Sequence, residues 1–102
     1  MSMTVELPME RIREICRKYG VTELSVFGSA VRDDFGPDSD IDFLYVLAPD
    51  STIGWEIVDL HDELAAAVGR HVDLVPKRYL HWVVRDRVLA EAEVVYPDAV
   101  AA

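Results

Sequence analysis

A single cysteine, Cys16, stands in the whole chain, and that scarcity removes two common ways of stabilising a small domain. One thiol cannot form an internal disulfide, and it cannot build a cysteine-based structural zinc cluster. Cys16 is therefore expected to pack as a small apolar residue. Basic residues are also in deficit: ten Lys and Arg face nineteen Asp and Glu, for a formal charge of −9. The averaged field of such a chain repels phosphate backbones, so nucleic acid is not expected as a direct partner. No apolar run approaches the length of a bilayer span. The first residues, Met1-Ser2-Met3-Thr4-Val5-Glu6, lack a basic region followed by an apolar stretch. No membrane partner is expected, and the cytoplasm is the expected location.

Repeats, low-complexity tracts and linkers are missing as well, and 102 residues leave no room for a separate substrate-binding domain. With 51% hydrophobic and 28% charged residues, the chain has the balance of a packed domain. It is read as one domain over residues 1–102, with 97–102 as a flexible tail.

Helical periodicity runs through Met9, Ile12, Ile15, Cys16 and Tyr19, with Pro8 suited to the first turn and Gly20 as the stop. Residues 22–27 form a short strand that Gly28 closes, and residues 29–34 are predicted as a short helix with Ser29 at its N-cap. A buried strand follows over residues 41–47, interrupted by Asp42. Ile57, Leu60, Leu64 and Ala67 mark a second long helix that ends at Gly69. A strand over 71–75, a helix over 80–91 and a strand over 93–96 complete the reading. Trp55 and Trp82 are expected in the core or at its margin, although Trp82, Arg85 and Leu89 share helical spacing and could face a partner. The three histidines do not form a ligand spacing. The fold class is a small α/β (α+β) domain with one sheet backed by helices.

Asp40 and Asp42 share one face if they begin an extended strand, about 6.5 Å apart along the chain. Carboxylates so placed can bracket two divalent ions, and hard oxygen ligands favour magnesium or manganese over zinc. The bland alternative is a turn at Asp38-Ser39-Asp40 followed by an exposed Asp42. A calcium EF-hand is excluded because its sixth position holds Phe43 and its twelfth Pro49. A P-loop is excluded because Gly36 is followed by Pro37. Gly28-Ser29 lies where a strand turns toward a helix start, where a missing Cβ lets phosphate approach free backbone N–H groups. Read alone, that dipeptide is an ordinary turn with a helix cap.

Taken together, Gly28-Ser29, a ten-residue spacer and Asp40-Ile41-Asp42 resemble the signature of the DNA polymerase beta type nucleotidyltransferase superfamily. The run GSAVRDDFGPDSDIDFLYVL is similar to that of the minimal nucleotidyltransferases, the MNT half of HEPN–MNT toxin–antitoxin pairs. The resemblance implies the nucleotidyltransferase fold, a single small mixed sheet backed by helices. It implies that Gly28 and Ser29 hold the β- and γ-phosphates, that Asp40 and Asp42 bind two Mg2+ ions, and that Asp73 is the third carboxylate. Arg32 matches an arginine common after the Gly-Ser turn and could neutralise phosphate charge; read alone it is a solvated helix residue. The chain departs from many relatives at the next position, where Asp33 replaces a glycine and adds negative charge beside the expected triphosphate.

The implied activity is transfer of AMP from ATP to a hydroxyl, with a HEPN-type ribonuclease toxin as partner and one of its tyrosines as acceptor. Two alternatives share the motif: an antitoxin that blocks its toxin by binding alone, for which Asp33 is the main support, and a nucleotidyltransferase acting on a small hydroxyl compound.

Overall fold

The computed structural model describes residues 7–31, 36, 39–50 and 54–97, with the Ser29 side chain outside that set. The first helix, α1 (Met9–Tyr19), buries Ile12, Ile15 and Cys16, the stripe that a 3.6-residue period places on one side. It stops at Gly20, whose φ of 75° and N–H bond to the Cys16 carbonyl form a left-handed cap. Burial pushes the Cys16 thiol pKa up to about 12, so the group behaves as the apolar packing residue expected of it.

Strand β1 (Val21–Phe27) runs directly into a single 3-10 turn over Gly28–Val31. The short helix predicted over 29–34 is thus a tighter turn that starts one residue earlier; residues 32–34 lie outside the described set. Strand β2 (Ile41–Leu47) occupies the predicted range. Helix α2 (Glu56–Val68) ends at Gly69, again left-handed with φ 70°. Strand β3 (Val72–Pro76) is followed by a second 3-10 turn, Lys77–Tyr79, then α3 (Trp82–Glu91) and β4 (Glu93–Tyr96). Helix α3 begins later than the predicted residue 80 because His81 caps it: its side chain accepts the Val83 N–H.

The sheet order is β3-β2-β1-β4. β1 is antiparallel to both β2 and β4, while β2 and β3 are parallel and joined through α2, the kind of crossover that a parallel pair requires. The predicted class is borne out as a four-stranded mixed sheet backed by helices.

Alternation along the strands separates two faces. Leu24, Val26, Ile41, Phe43, Val72 and Val95 pack with Ile12, Ile15 and Cys16 of α1 and Leu60 and Leu64 of α2. Glu63 braces the two helices on their outer side, accepting from Lys18 at 2.8 Å, from Arg11 at 3.1 Å and from the Tyr19 hydroxyl. The opposite face carries Phe27, Asp42 and Asp73, aligned across three strands by the register Phe27↔Asp42 and Asp42↔Asp73. Neither tryptophan joins the core. Trp55 is 89% exposed and Trp82 79%, which corrects the expectation drawn from their size: each lies at a helix start that the sheet does not cover. No helix among the described residues is long and apolar enough to cross a membrane.

Candidate active site

The site is built at the end of the sheet where β1 leaves and β2 and β3 begin. Gly28 is fixed there by two constraints. Its φ is 77°, a left-handed value that L side chains rarely adopt, and a Cβ at this position would collide with the Asp42 carboxylate. Glycine thus brings the turn against the carboxylate, and the ten-residue spacer is the chain that leaves this turn and returns as β2.

The Gly28 N–H turns toward α3. It donates to the Glu91 side chain at the end of α3, at 2.9 Å. That bond ties α3 to the turn, and the missing Cβ leaves room beside the Asp42 carboxylate. The Ser29 hydroxyl and the side chains of Arg32 and Asp33 lie outside the described residues.

Asp42 and Asp73 are register partners on adjacent parallel strands, whose backbones run about 4.8 Å apart. Their neighbours Ile41 and Val72 are buried on the helical face, so pleating turns both carboxylates to the other side. Asp42 is half-buried and Asp73 exposed. Asp40 precedes the strand and is exposed; its Oδ2 lies 3.4 Å from Nδ1 of His71. Among the described residues no group of three or more carboxylates, imidazoles or thiols stands close enough to hold an ion as it is.

The donor chemistry nonetheless fits hard divalent cations: two all-oxygen ligands in register, with a third on an exposed side chain whose rotation gives up only one solvent-exposed contact. A thiol or a cage of imidazoles, which would select softer metals, is absent from this face among the described residues.

The backbone around the carboxylates is pinned by residues that periodicity gave no reason to single out. Nη1 of Arg70 donates to the carbonyls of Gly36 at 3.1 Å and Ser39 at 3.2 Å. Ser39 closes the same turn by accepting the Gly36 N–H at 2.9 Å, and the Ile41 N–H donates to the His71 carbonyl at 3.0 Å. Asp40 therefore leaves a turn fixed from the α2–β3 loop.

His61 sits beside β3, its Nε2 2.8 Å from the Val72 carbonyl and its Nδ1 3.1 Å from Asp62. The hydrogen bond to Asp62, then that to Val72, raises its pKa above the ordinary histidine value. Lys77 points to the other end of the sheet, where it pairs with Glu23 at 3.2 Å. Glu91 and Arg70 had no legible signal in the sequence, since both roles depend on contacts with distant backbone.

Residues 9–95 match the family described as the nucleotidyltransferase domain. A candidate protein adenylyltransferase of Methanocaldococcus jannaschii is 32% identical over 88% of this chain and 96% of its own length. The protein adenylyltransferase MntA of Thermococcus cleftensis is 37% identical over 78% of this chain and 79% of its own. Among solved structures, a toxin–antitoxin crystal structure with AMP-PNP aligns with a TM-score of 0.70 at 25% identity, covering 88% of this chain and 73% of that one.

Proposed function

The chain belongs to the nucleotidyltransferase domain family, and from that premise we propose that it transfers AMP from ATP to a hydroxyl of a HEPN-type ribonuclease toxin in the cytoplasm and so neutralises it. The observation that carries this reading is the register of Asp42 with Asp73 directly beside the glycine turn. Relatives named as protein adenylyltransferases support the acceptor class, and the toxin–antitoxin structure with AMP-PNP supports the nucleotide.

In this mechanism Asp40, Asp42 and Asp73 would hold two Mg2+ ions, which when bound lower the pKa of the acceptor hydroxyl and offset the charge of the leaving group. Asp73, exposed at the rim, orients the acceptor hydroxyl and receives its proton. The hydroxyl oxygen forms a bond to the α-phosphorus of ATP, the α–β phosphoanhydride bond breaks, and pyrophosphate departs. The glycine turn admits the β- and γ-phosphates, with Ser29 and Arg32 as their ligands. Positioning and charge neutralisation account for the rate, as in phosphoryl transfer generally. Tyrosine is the acceptor residue in this reading.

The test is incubation of the protein with labelled ATP, magnesium and a purified HEPN-type ribonuclease toxin. A mass gain on the HEPN protein equal to whole AMP units is the expected result. Unchanged transfer by Asp42→Ala or Asp73→Ala would overturn the assignment of the carboxylates.

A second reading, an antitoxin that acts by binding alone, is favoured by two observations: Asp40 leans to His71, and the Gly28 N–H is engaged by Glu91. The same incubation separates the two, because tight binding without a mass gain belongs only to the second.

A further inference from the structure

The far end of the same sheet has the opposite character. In a chain of net charge −9, residues 77–87 contain Lys77, Arg78, Arg85 and Arg87, four of the ten basic residues, and a single acid, Asp86. This stretch is the second 3-10 turn and the first part of α3. It also holds the densest run of exposed apolar side chains among the described residues: Tyr79 at 69%, Trp82 at 79%, Val83 at 62% and Val84 at 38%. Beside them opens a cavity of about 360 Å³ whose lining includes Tyr45, Pro76, Lys77, Tyr79 and Arg85.

The exposed rings have cationic and aromatic neighbours. The Arg78 guanidinium lies over the Tyr79 ring at 4.9 Å, and His81 stacks on Trp82 at an interplanar angle of 21° while capping Val83. Nη1 of Arg85 reaches the Lys77 carbonyl at 3.5 Å. Preorganised Trp, Tyr and Arg side chains are what carries binding energy at protein interfaces, because little rotamer freedom remains to be lost.

We propose that this face is where the acceptor protein docks, by an apolar patch rimmed with carboxylates that meets Tyr79, Trp82 and Val83 and pairs with Arg78, Arg85 and Arg87. The proposal rests on the reading that the acceptor is a protein. Charge complementarity selects the occupant. A compact acidic patch meets only the local surplus of cations, whereas a long polyanion such as RNA also meets the field of the remaining acidic surface. Helix α3 sets the distance. Its ten residues, Trp82–Glu91, span about 15 Å, and Glu91 at the far end holds the glycine turn. A partner seated on the first turn of α3 is thus one helix length from the carboxylates, within reach of its own hydroxyl.

The experiment compares full-length wild type with Arg78→Glu/Trp82→Ala, and with Arg17→Glu on α1 as a control for global charge. The substituted side chains are exposed, and circular dichroism checks that the fold is kept. With the purified HEPN protein, the double variant is expected to raise the Kd by at least tenfold and the KM for that protein in AMP transfer likewise. Its kcat and ATP affinity should stay at the wild-type level, and Arg17→Glu should match wild type throughout. Wild-type binding by the double variant overturns the proposal. So does a wild type that, without the HEPN protein, binds a single-stranded oligonucleotide or self-associates through this same face. If wild type transfers no AMP yet the double variant still loses binding, the adenylylation reading fails and the docking face stands.

Discussion

The two ends of the parallel pair β2–β3 share strands, backbone geometry and hydrogen-bonding pattern, yet they do opposite things. Where the strands begin, Asp42 and Asp73 face each other across the ladder and Asp40 stands just outside. Where they end, Tyr45, Lys77, Tyr79 and Arg85 line a cavity and Trp82 stands in solvent. If the carboxylate end is the catalytic site and the cationic end the docking face, as proposed above, the difference teaches how a small acidic domain separates chemistry from recognition. Carboxylates suit cations, and a triphosphate only through them, and would repel an acidic partner surface; cationic and aromatic groups a helix length away suit that surface without competing for metal. Helix α3, tied to the glycine turn by Glu91 and to the Lys77 carbonyl by Arg85, is the physical link between the two.

The largest expected effect sharpens this division. Asp42→Asn keeps the shape but removes the charge, and transfer of AMP to the partner should fall by about 10²- to 10³-fold, the range for losing one electrostatic group in a catalytic site. Calorimetric affinity for the partner should be unchanged; a parallel loss of partner binding would break the division into two ends.

Gly28→Ala comes next. The left-handed φ and the collision with Asp42 should together cost about 2 kcal/mol or more in urea unfolding, with loss of ATP binding in the folded fraction. A stable variant that still binds ATP would show that the turn is less constrained than its geometry implies.

Glu91→Ala tests the link itself. Loss of a charge-assisted bond at a partly buried N–H should cost about 1.5 to 3 kcal/mol, and hydrogen exchange should quicken at Gly28 and in the last turn of α3, with little change in α1 and α2. Glu91→Gln, which retains a carbonyl acceptor, should recover most of the protection.

The smallest effect belongs to the opposite face and should leave both ends of β2–β3 untouched. Hydrogen bonds from Lys18 and then Tyr19 lower the pKa of Glu63 below the ordinary carboxylate value. A carboxylate depressed on folding contributes stability above its unfolded pKa and loses it as the pH falls through the folded one. Thermal melts should therefore show an acid-side loss that begins below the ordinary carboxylate pKa of 4.5 and is diminished in Glu63→Gln. The exposure of Lys18 keeps this contribution small.

Much of the fold was legible because local chemistry dictated it. The Ile12, Ile15, Cys16 stripe, the glycine stops at Gly20 and Gly69, and the apolar run over β2 each act within one element, so pattern and structure agree. Within the described part of the expected 29–34 helix the winding is 3-10, because a capping residue signals a helix start without fixing how tightly the first turn winds. The tryptophans depart from expectation because size predicts burial only when another element arrives to cover the ring, and among the described residues none does at either position. Arg70 and Glu91 were invisible because each side chain satisfies backbone atoms more than thirty residues away.

The Gly-Ser turn and the Asp pair are matters of residue type at a fixed local spacing, which the sequence by itself determines, whereas Asp73 as a third carboxylate is implied only by the family resemblance. Only the tertiary structure decided that β2 and β3 run parallel in a register that sets Asp42 against Asp73, that Gly28 must lack a Cβ because Asp42 fills that space, and that the cationic aromatic surface sits one helix away. These are relations between strands and helices far apart in the chain. They depend on which faces the core draws together, and a local pattern carries no information about its distant partner until packing selects one.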